Sequence, residues 1–515
     1  MTIRLTALLC LLSLFLFQSC NKDEEEMPAP PKENPMATDI NAYIRSLTYN
    51  PVEMLNVNNT PGDLAQKVPG EPNTDTGPLD RGYRTTCVSQ PYELDRDFSE
   101  IAILNPGSGN VYPGALVLAN ADLLSGTPRP LGLERNPVTL TIDLPGIGDK
   151  GSFTVADPSN ATVSPAIDEA LEHWNNTAFQ QGYFNGARSY YEASEAFEQR
   201  QLGIELGINA EWVTGSVSSH LSTSTTTDRR VALLAYRQIF YTITAQSPFE
   251  PTDYLGPDVT LEQVQSSTDD NNHPAYVSAV DYGRIILFRM EATNVETSID
   301  LNAVMNYAAG GVSVAADVAS RYDEILSNSS ISVLTIGGSA QSAAQALENI
   351  SGPGSLTPLI VENAVYSREN PGLPIAYRVN LLSDNRIVKM GFSSDYTDVR
   401  CGKIAYNHPR IDFYNDFDTY NLRIKLTYDH DYPPADDTGE TTELQINDES
   451  SATLPDVPDG AFDVRMIVRR IDGLTWREWE TRNLYHISSS QNEDCWRAYR
   501  GGFSTGFATF LEKCD

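Results

Sequence analysis

Several short patterns in this 515-residue chain have residue types that could do chemistry. Gly146-x-Gly148-x-x-Gly151 has the spacing that lets a backbone approach a pyrophosphate. That use needs a strand before the glycines and a helix after them. Here strand-like residues lie on both sides, Val138 to Leu144 and Ser152 to Val155, so a β-turn is expected. Gly502-x-Ser504-x-Gly506 matches the turn that exposes a nucleophilic serine in hydrolases whose Asp and His follow the Ser. The last histidine is His486, before it. His173, His220, His273, His408, His430 and His486 are scattered, with no His-x-x-x-His or Cys-x-x-Cys, so zinc would need ligands from distant positions. Asp429-x-Asp431 with Asp436-Asp437 lacks EF-hand spacing and reads as a solvated acidic loop. Nothing singles out a carboxylate pair for glycoside hydrolysis. The patterns point away from an enzyme, and no cofactor or metal is expected.

Cysteine is the remaining chemistry. Met1 to Ser19 reads as a secretory signal, with Arg4 at its positive end and an apolar run from Leu8 to Phe17. The run is too short to span a bilayer as a helix. Ser19-Cys20 resembles a bacterial lipobox, which makes Cys20 the expected lipidation site. Asn21-Lys22-Asp23-Glu24-Glu25-Glu26 resembles the acidic export signal of Bacteroidota surface lipoproteins, and a proline-rich spacer follows. Cys87, Cys401, Cys495 and Cys514 remain, and outside the cytoplasm they favour disulfides. Sequence alone allows three pairings. Cys495 and Cys514 bracket a short segment and are the first candidate pair, with Cys87–Cys401 to follow.

Lys and Arg number 36 against 69 Asp and Glu, a net charge of −33. That balance argues against nucleic acid and against simple electrostatic docking on an anionic membrane. Apolar residues make up 40%, so the bulk is folded. Tyr (25) far exceeds Trp (5), and Ser and Thr abound, which favours strands and turns.

These residues need elements to hold them. Residues 41–175 mix short strands and turns, with a helix expected from Pro165 to Trp174, Ser164 as its cap and Pro165 in its first turn. Long runs rich in β-branched and aromatic residues span Val231 to Ala245 and Tyr276 to Ala292. Two other segments alternate strictly. In one, Leu202, Ile204, Leu206, Ile208, Ala210 and Trp212 occupy every second position. In the other, Ile299, Leu301, Ala303, Met305 and Tyr307 alternate with Asp300, Asn302 and Asn306 before Gly310-Gly311, and Val312, Val314, Ala316 and Val318 alternate with Ser313, Ala315 and Asp317 after it. Arms of about ten residues with one apolar face suit a hairpin that crosses a bilayer. They equally suit any half-buried strand, and short helices fit too. Residues 393–515 have the spacing of an all-β domain.

Several stretches resemble the cholesterol-dependent (thiol-activated) cytolysins. Asn110-Val-Tyr-Pro-Gly-Ala-Leu-Val-Leu118, Ile142-Asp-Leu-Pro-Gly146, Tyr236-Arg-Gln-Ile-Phe-Tyr-Thr242, Val277-Ser-Ala-Val-Asp-Tyr-Gly-Arg284 and Asn370-Pro-Gly-Leu-Pro-Ile375 are similar to that family's segments and occur in its order. The resemblance, strongest to the cytolysin-like lipoproteins of Bacteroidota, implies an elongated multidomain α+β fold. A bent central antiparallel sheet would be flanked by helical bundles, with a C-terminal all-β sandwich. It implies monomers that self-associate into a ring and refold two bundles, near 196–230 and 296–325, into hairpins of a β-barrel. In the soluble form those segments would be helical. Gly337 and Gly338 fall on the family's glycine pair and would be the hinge. The domains expected are a signal peptide (1–19), a tether (20–40), a pore-forming core (41–392) and a recognition domain (393–515).

The family's undecapeptide aligns with Arg470-Ile-Asp-Gly-Leu-Thr-Trp-Arg-Glu-Trp-Glu480. Its reactive Cys is Ile471, its middle Trp is Glu478 and its final Arg is Glu480, while Gly473, Leu474, Trp476 and Trp479 persist. Asp472 completes this undecapeptide-like loop. No Thr-Leu pair occurs in 481–515. Acids at these positions resist an apolar interface, so cholesterol is not expected as receptor. Trp476, Trp479 and Trp496 are candidate contacts for another surface component. The expected function is a pore-forming, outer-membrane lipoprotein exposed on the cell surface, antibacterial in one reading. It would act on a target membrane alone or with a homologous partner subunit, tethered or released. The alternative is a surface binding or adhesion lipoprotein, or accessory subunit, that makes no pore.

Overall fold

The computed structural model describes residues 35–60, 63–103, 111–126, 128–208, 215–223, 229–293, 295–296, 298–337, 345–408, 410–430, 437–472, 475–484, 495–503 and 506–513. The first element is helix α1 (Pro35–Ser46). Ile40 and Ile44, four residues apart, share one face and are buried. Tyr43 donates to the Thr268 carbonyl at 2.8 Å, and Arg45 pairs with Glu250 at 2.8 Å. The tether expected to run to residue 40 thus yields to a docked helix five residues earlier, because Ile40 and Ile44 have a core to enter.

Strand β1 (Tyr83–Phe98) pairs with a distant strand, Met390–Ala405, in an antiparallel ribbon. Each contributes 16 residues, so the ribbon is about 50 Å long. Gln66–Pro69 and Asn73–Asp80 line the other edge of β1. Toward the body the ribbon is buried, at Leu94, Arg96, Asp97 and Phe98; from Tyr83 to Pro91 no residue is buried. Cys87 and Cys401 stand directly opposite in this outer half and form a disulfide. The boundary expected at 392/393 falls inside the Met390–Ala405 strand; the C-terminal sheets begin at Asp412.

Val138–Ile142 and Ser152–Val155 pair antiparallel, joined by a short 3-10 turn at Gly148–Gly151. The Gly146/Gly148/Gly151 pattern is therefore a hairpin connection. Helix α2 (Asn160–Asn176) starts five residues before the expected one, with Ser159 as cap and Pro165 inside it. A cap side chain needs only a free N–H two or three residues on; the Ser159–Thr162 capping box meets that need ahead of Ser164.

The central sheet is built on β2 (Arg188–Glu195), β3 (Arg229–Ala245) and β4 (His273–Thr293), paired in that order. The free edge of β4 has two successive partners. Strand β5 (Ser330–Gly337) covers Arg284 to Glu291. Further along the chain, β7 (Leu373–Leu381) covers Ala275 to Gly283. Between them in sequence, β6 (Gln345–Leu347) edges β5. The partner changes between Gly283 and Arg284, and the β3–β4 register shifts one residue earlier, between Tyr282 and Gly283. A Cβ on Gly283 would meet the Gln238 carbonyl oxygen at 1.9 Å, so only glycine permits this crossing. Asn160–Asn176, Tyr241, Tyr276 and Tyr366 build one core above it.

The strand Met390–Ala405, now β8, leads to a β-sandwich. One sheet contains β9 (Leu422–His430), β10 (Phe462–Asp472) and β11 (Thr475–Asn483). The other pairs Asp412–Asn415 with Cys495–Phe503, which pairs in turn with Gly506–Lys513. Phe413, Phe417, Ile424, Met466 and Trp496 fill the space between. Tyr406 donates to Gly82 at 2.8 Å and accepts from Gly460 at 2.9 Å, fixing the sandwich to the ribbon end.

Candidate functional site

Among the described residues, both alternating segments contain helices rather than strands. In the first, α3 (Gln199–Glu205) and α4 (Gly215–His220) are described. Leu202, Leu206, Val217 and Leu221 bury against Val231, Leu233 and Leu287 of the sheet. Ile204 turns away and packs on Leu94 and Tyr396 of the ribbon. A period of two cannot present one helical face. The helix resolves this by lying between two apolar surfaces.

Buried polar groups fix it there. Arg96 donates to the Ile204 and Glu205 carbonyls, both at 3.0 Å, satisfying helix-end acceptors. Its guanidinium grips Glu192 at 2.7 and 2.8 Å. Glu205 accepts from Ser194 (2.6 Å) and Tyr396 (3.2 Å) and pairs with Lys67 at 2.6 Å. Burial, then the Glu205 carboxylate, raises the Tyr396 pKa, so the phenol keeps the proton it donates.

The second segment gives α5 (Leu301–Ala308) and α6 (Ala316–Ser327). Leu301, Val304, Met305 and Ala308 bury against Ala232, Leu234 and Phe288, on the sheet face opposite the first segment. Alternate residues of β3 therefore serve the two segments in turn. Arg230 grips Glu195 at 2.7 and 2.9 Å and donates to the Glu296 and Ile299 carbonyls at 3.0 and 2.7 Å. Arg400 of β8 reaches the same Glu195 at 3.4 Å. One carboxylate thus joins the sheet, the second segment and the ribbon. The fit of α5 is incomplete. The side-chain oxygens of Asn302 and Asn306, and the Ser355 hydroxyl, are buried without a hydrogen-bond partner.

Gly337 ends β5 with φ +86, and a Cβ there would meet the Gly283 carbonyl oxygen at 2.5 Å. Gly338 lies outside the described residues. Sequence reasoning missed Gly283, which is at the partner change itself. It also missed the cluster beside that crossing, where Glu100, Asp143, Asp281, Arg188, Arg237 and Arg378 line a cavity of about 520 Å³. Arg237 bonds Glu100 at 2.6 Å, and Thr242 bonds Asp281 at 2.5 Å. Burial raises the Glu100 pKa; Arg237 and Arg378 oppose the rise and Asp281 adds to it.

The segment expected as an undecapeptide-like loop is largely strand. Asp472 pairs with Thr475, so Ile471, Asp472, Trp476 and Glu478 belong to the β10/β11 ladder, while Trp479 lies in β11 at a register shift. Gly473 and Leu474 lie outside the described residues. The alternating ladder holds to the last residue pair, leaving two residues for the turn. Trp496 is a core residue and Trp479 packs on Phe417 at 5.4 Å, so packing occupies both. Trp476 instead lies under the Arg423 guanidinium at 4.5 Å. Cys495 is disulfide-bonded; Cys514, like Cys20, lies outside the described residues. Ser504 does too, between two paired strands. Among the described residues, no three His, Cys, Asp or Glu gather as a metal site would require, and no helix is long and apolar enough to cross a membrane.

The model of the thiol-activated cytolysin family matches residues 39–402. Listeriolysin O from Listeria monocytogenes is 27% identical over 489 residues, covering 91% of this chain and 88% of its own. Streptolysin O from Streptococcus dysgalactiae subsp. equisimilis is 30% identical over 457 residues, covering 86% and 75%. Among solved structures, listeriolysin O superposes with a TM-score of 0.63 at 24% identity, covering 95% of this chain and 98% of that one. A non-hemolytic pneumolysin from Streptococcus pneumoniae strain ST306 gives 0.62 at 20%, covering 93% and 100%.

Proposed function

Because this chain belongs to the thiol-activated cytolysin family, we propose that it is a surface lipoprotein that forms pores by refolding residues 196–230 and 296–325. Family members are pore-forming toxins. Monomers would associate into a ring. Each segment would leave its face of the central sheet and extend as a β-hairpin, and the barrel would close so that no backbone group is unpaired in lipid. One observation carries this reading: two segments with strand periodicity are folded as helices on opposite faces of one sheet. Gly337 and Gly338 would be the hinge.

The lipobox-like Ser19-Cys20 supports lipidation at Cys20 and an outer-membrane tether, with release as an option. Ile471, Glu478 and Glu480 at the undecapeptide positions support a receptor other than cholesterol, and a bacterial target or a homologous partner subunit fits that change. Cys495–Cys514 is the proposed second disulfide.

Dye release tests the reading. The chain from Asn21 onward, intact and after limited proteolysis, is added to cholesterol-free and cholesterol-rich liposomes, with and without an engineered cross-link between α5 and β3. Leakage that the cross-link abolishes and its reduction restores is expected. Leakage that survives the cross-link rules out the hairpin mechanism. No leakage from either liposome favours the non-pore-forming alternative.

A further inference from the structure

We propose that the cavity beside the Gly283 crossing binds a small organic anion, a carboxylate or phosphate carried on a hydroxylated body. This goes beyond the pore-forming reading and does not rest on it. The cavity holds about 520 Å³, within the range of small-molecule sites, roughly 300–1,000 Å³. Strands β2, β3, β4 and β7 supply Arg188, Arg237, Asp281 and Arg378 to its walls. Glu100 and Asp143 come from stretches outside those strands.

Three cations meet three acids there, yet the charges do not cancel. Arg188 is spent: it donates to Asp143 and to the Thr242 hydroxyl, each at 2.6 Å. Two carboxyls and two guanidiniums remain. Glu100 and Asp281 are hydrogen-bonded to each other, and two carboxyls in such contact hold one proton between them. Asp281 is buried and also accepts from Thr242 at 2.5 Å. Arg237 and Arg378 therefore face one negative charge, not two. Arg237 takes it, donating to Glu100 at 2.6 Å. Arg378 is left 3.7 Å from Glu100, beyond hydrogen-bond reach, with its side chain 40% exposed. Among the described residues no nearer acid fills its fork. A planar guanidinium in that state suits a carboxylate or phosphate, which it binds bidentately. A metal ion would meet the surplus positive charge instead. The Tyr190 and Thr244 hydroxyls in the lining suit hydroxyls on the ligand.

The test is titration calorimetry of the chain from Asn21 onward with glucuronate, glucose 6-phosphate and, as the neutral control, glucose, all at one chloride concentration. Binding of at least one anion and none of glucose is expected, with a raised thermal midpoint for the anion that binds. Which anion binds tells carboxylate from phosphate. Arg378→Gln should weaken binding roughly tenfold or more, the worth of one charge-assisted hydrogen bond. Arg368→Gln removes an equal charge from the Glu172 pair elsewhere and should bind as wild type does. Midpoints in chloride alone report whether each variant folds. As pH rises, the Glu100–Asp281 pair gives up its proton and the surplus charge goes. Glucuronate affinity should therefore fall with rising pH in the wild type and stay level in Glu100→Gln. No heat and no midpoint shift with either anion, equal binding of glucose, or full affinity in Arg378→Gln overturns the site. Membrane leakage plays no part in these measurements, so the pore-forming reading stands or falls apart from them.

Discussion

Glu100 is the residue through which pH should act on this fold. Burial, more than its neighbours, raises its pKa, with Asp281 adding and Arg237 and Arg378 opposing. The native state therefore keeps a proton that the unfolded chain releases. Its contribution is full below the unfolded pKa and is lost as pH rises through the folded value. Wild-type thermal stability should fall across that interval, upward from the ordinary carboxylate range. Glu100→Gln should flatten the fall, as melts from acidic to neutral pH would show; parallel profiles would refute this. Trp174 makes a simpler case. It is fully buried, donates to the Pro145 carbonyl at 2.7 Å and lies 5.2 Å from the Tyr366 ring. Trp174→Ala should cost about 3–5 kcal/mol in denaturant unfolding. The sequence placed Trp174 in a helix because its pattern is local. It could not place Glu100, whose partners Arg237, Asp281 and Arg378 come from three different strands.

At the scale of elements, the long strands were legible and the two segments were half legible. β3 and β4 are buried on both faces, so their β-branched runs are continuous and unambiguous. The alternation in 202–212 fits a strand, yet α3 forms because a sheet and a ribbon stand on either side of it. No single-sequence pattern contains that second surface. The bonds that hold the segments were also hidden, since Arg96 and Glu205, or Arg230 and Glu195, are far apart in the chain. Glu195→Ala would leave Arg230 buried without its carboxylate and should cost about 3–5 kcal/mol, read as faster hydrogen exchange at 296–308. Stability on denaturation equal to wild type would count against this. Asn302→Ala with Asn306→Ala removes two buried oxygens that lack partners, each costing about 1–3 kcal/mol. The helical form should gain stability, and dye release should slow; faster release would contradict the proposed refolding.

For the whole molecule, the order of parts was legible and the boundaries were not. β8 reads as the start of an all-β domain, but its partner is β1, earlier in the chain by some three hundred residues. Periodicity reports strands, not partners. Residues 83–91 and 399–405 of this ribbon include no buried residue, so ladder bonds, the Asn73–Asp80 strand and the disulfide hold its outer end. Cys87→Ser with Cys401→Ser should speed amide exchange at 83–91 and 399–405 while leaving the central sheet protected. Unchanged exchange there would show the ladder sufficient alone. A reductant should then loosen the outer ribbon in the same way.

The disulfide also decides what a protease can accomplish. Cys87 and Cys401 are 314 residues apart, and the body of the protein lies between them. A cut in any loop of that span severs the peptide chain without dividing the molecule. The two fragments would migrate as one species until the disulfide is opened. A cut in the body therefore leaves the C-terminal sandwich covalently attached to the N-terminal part of the chain.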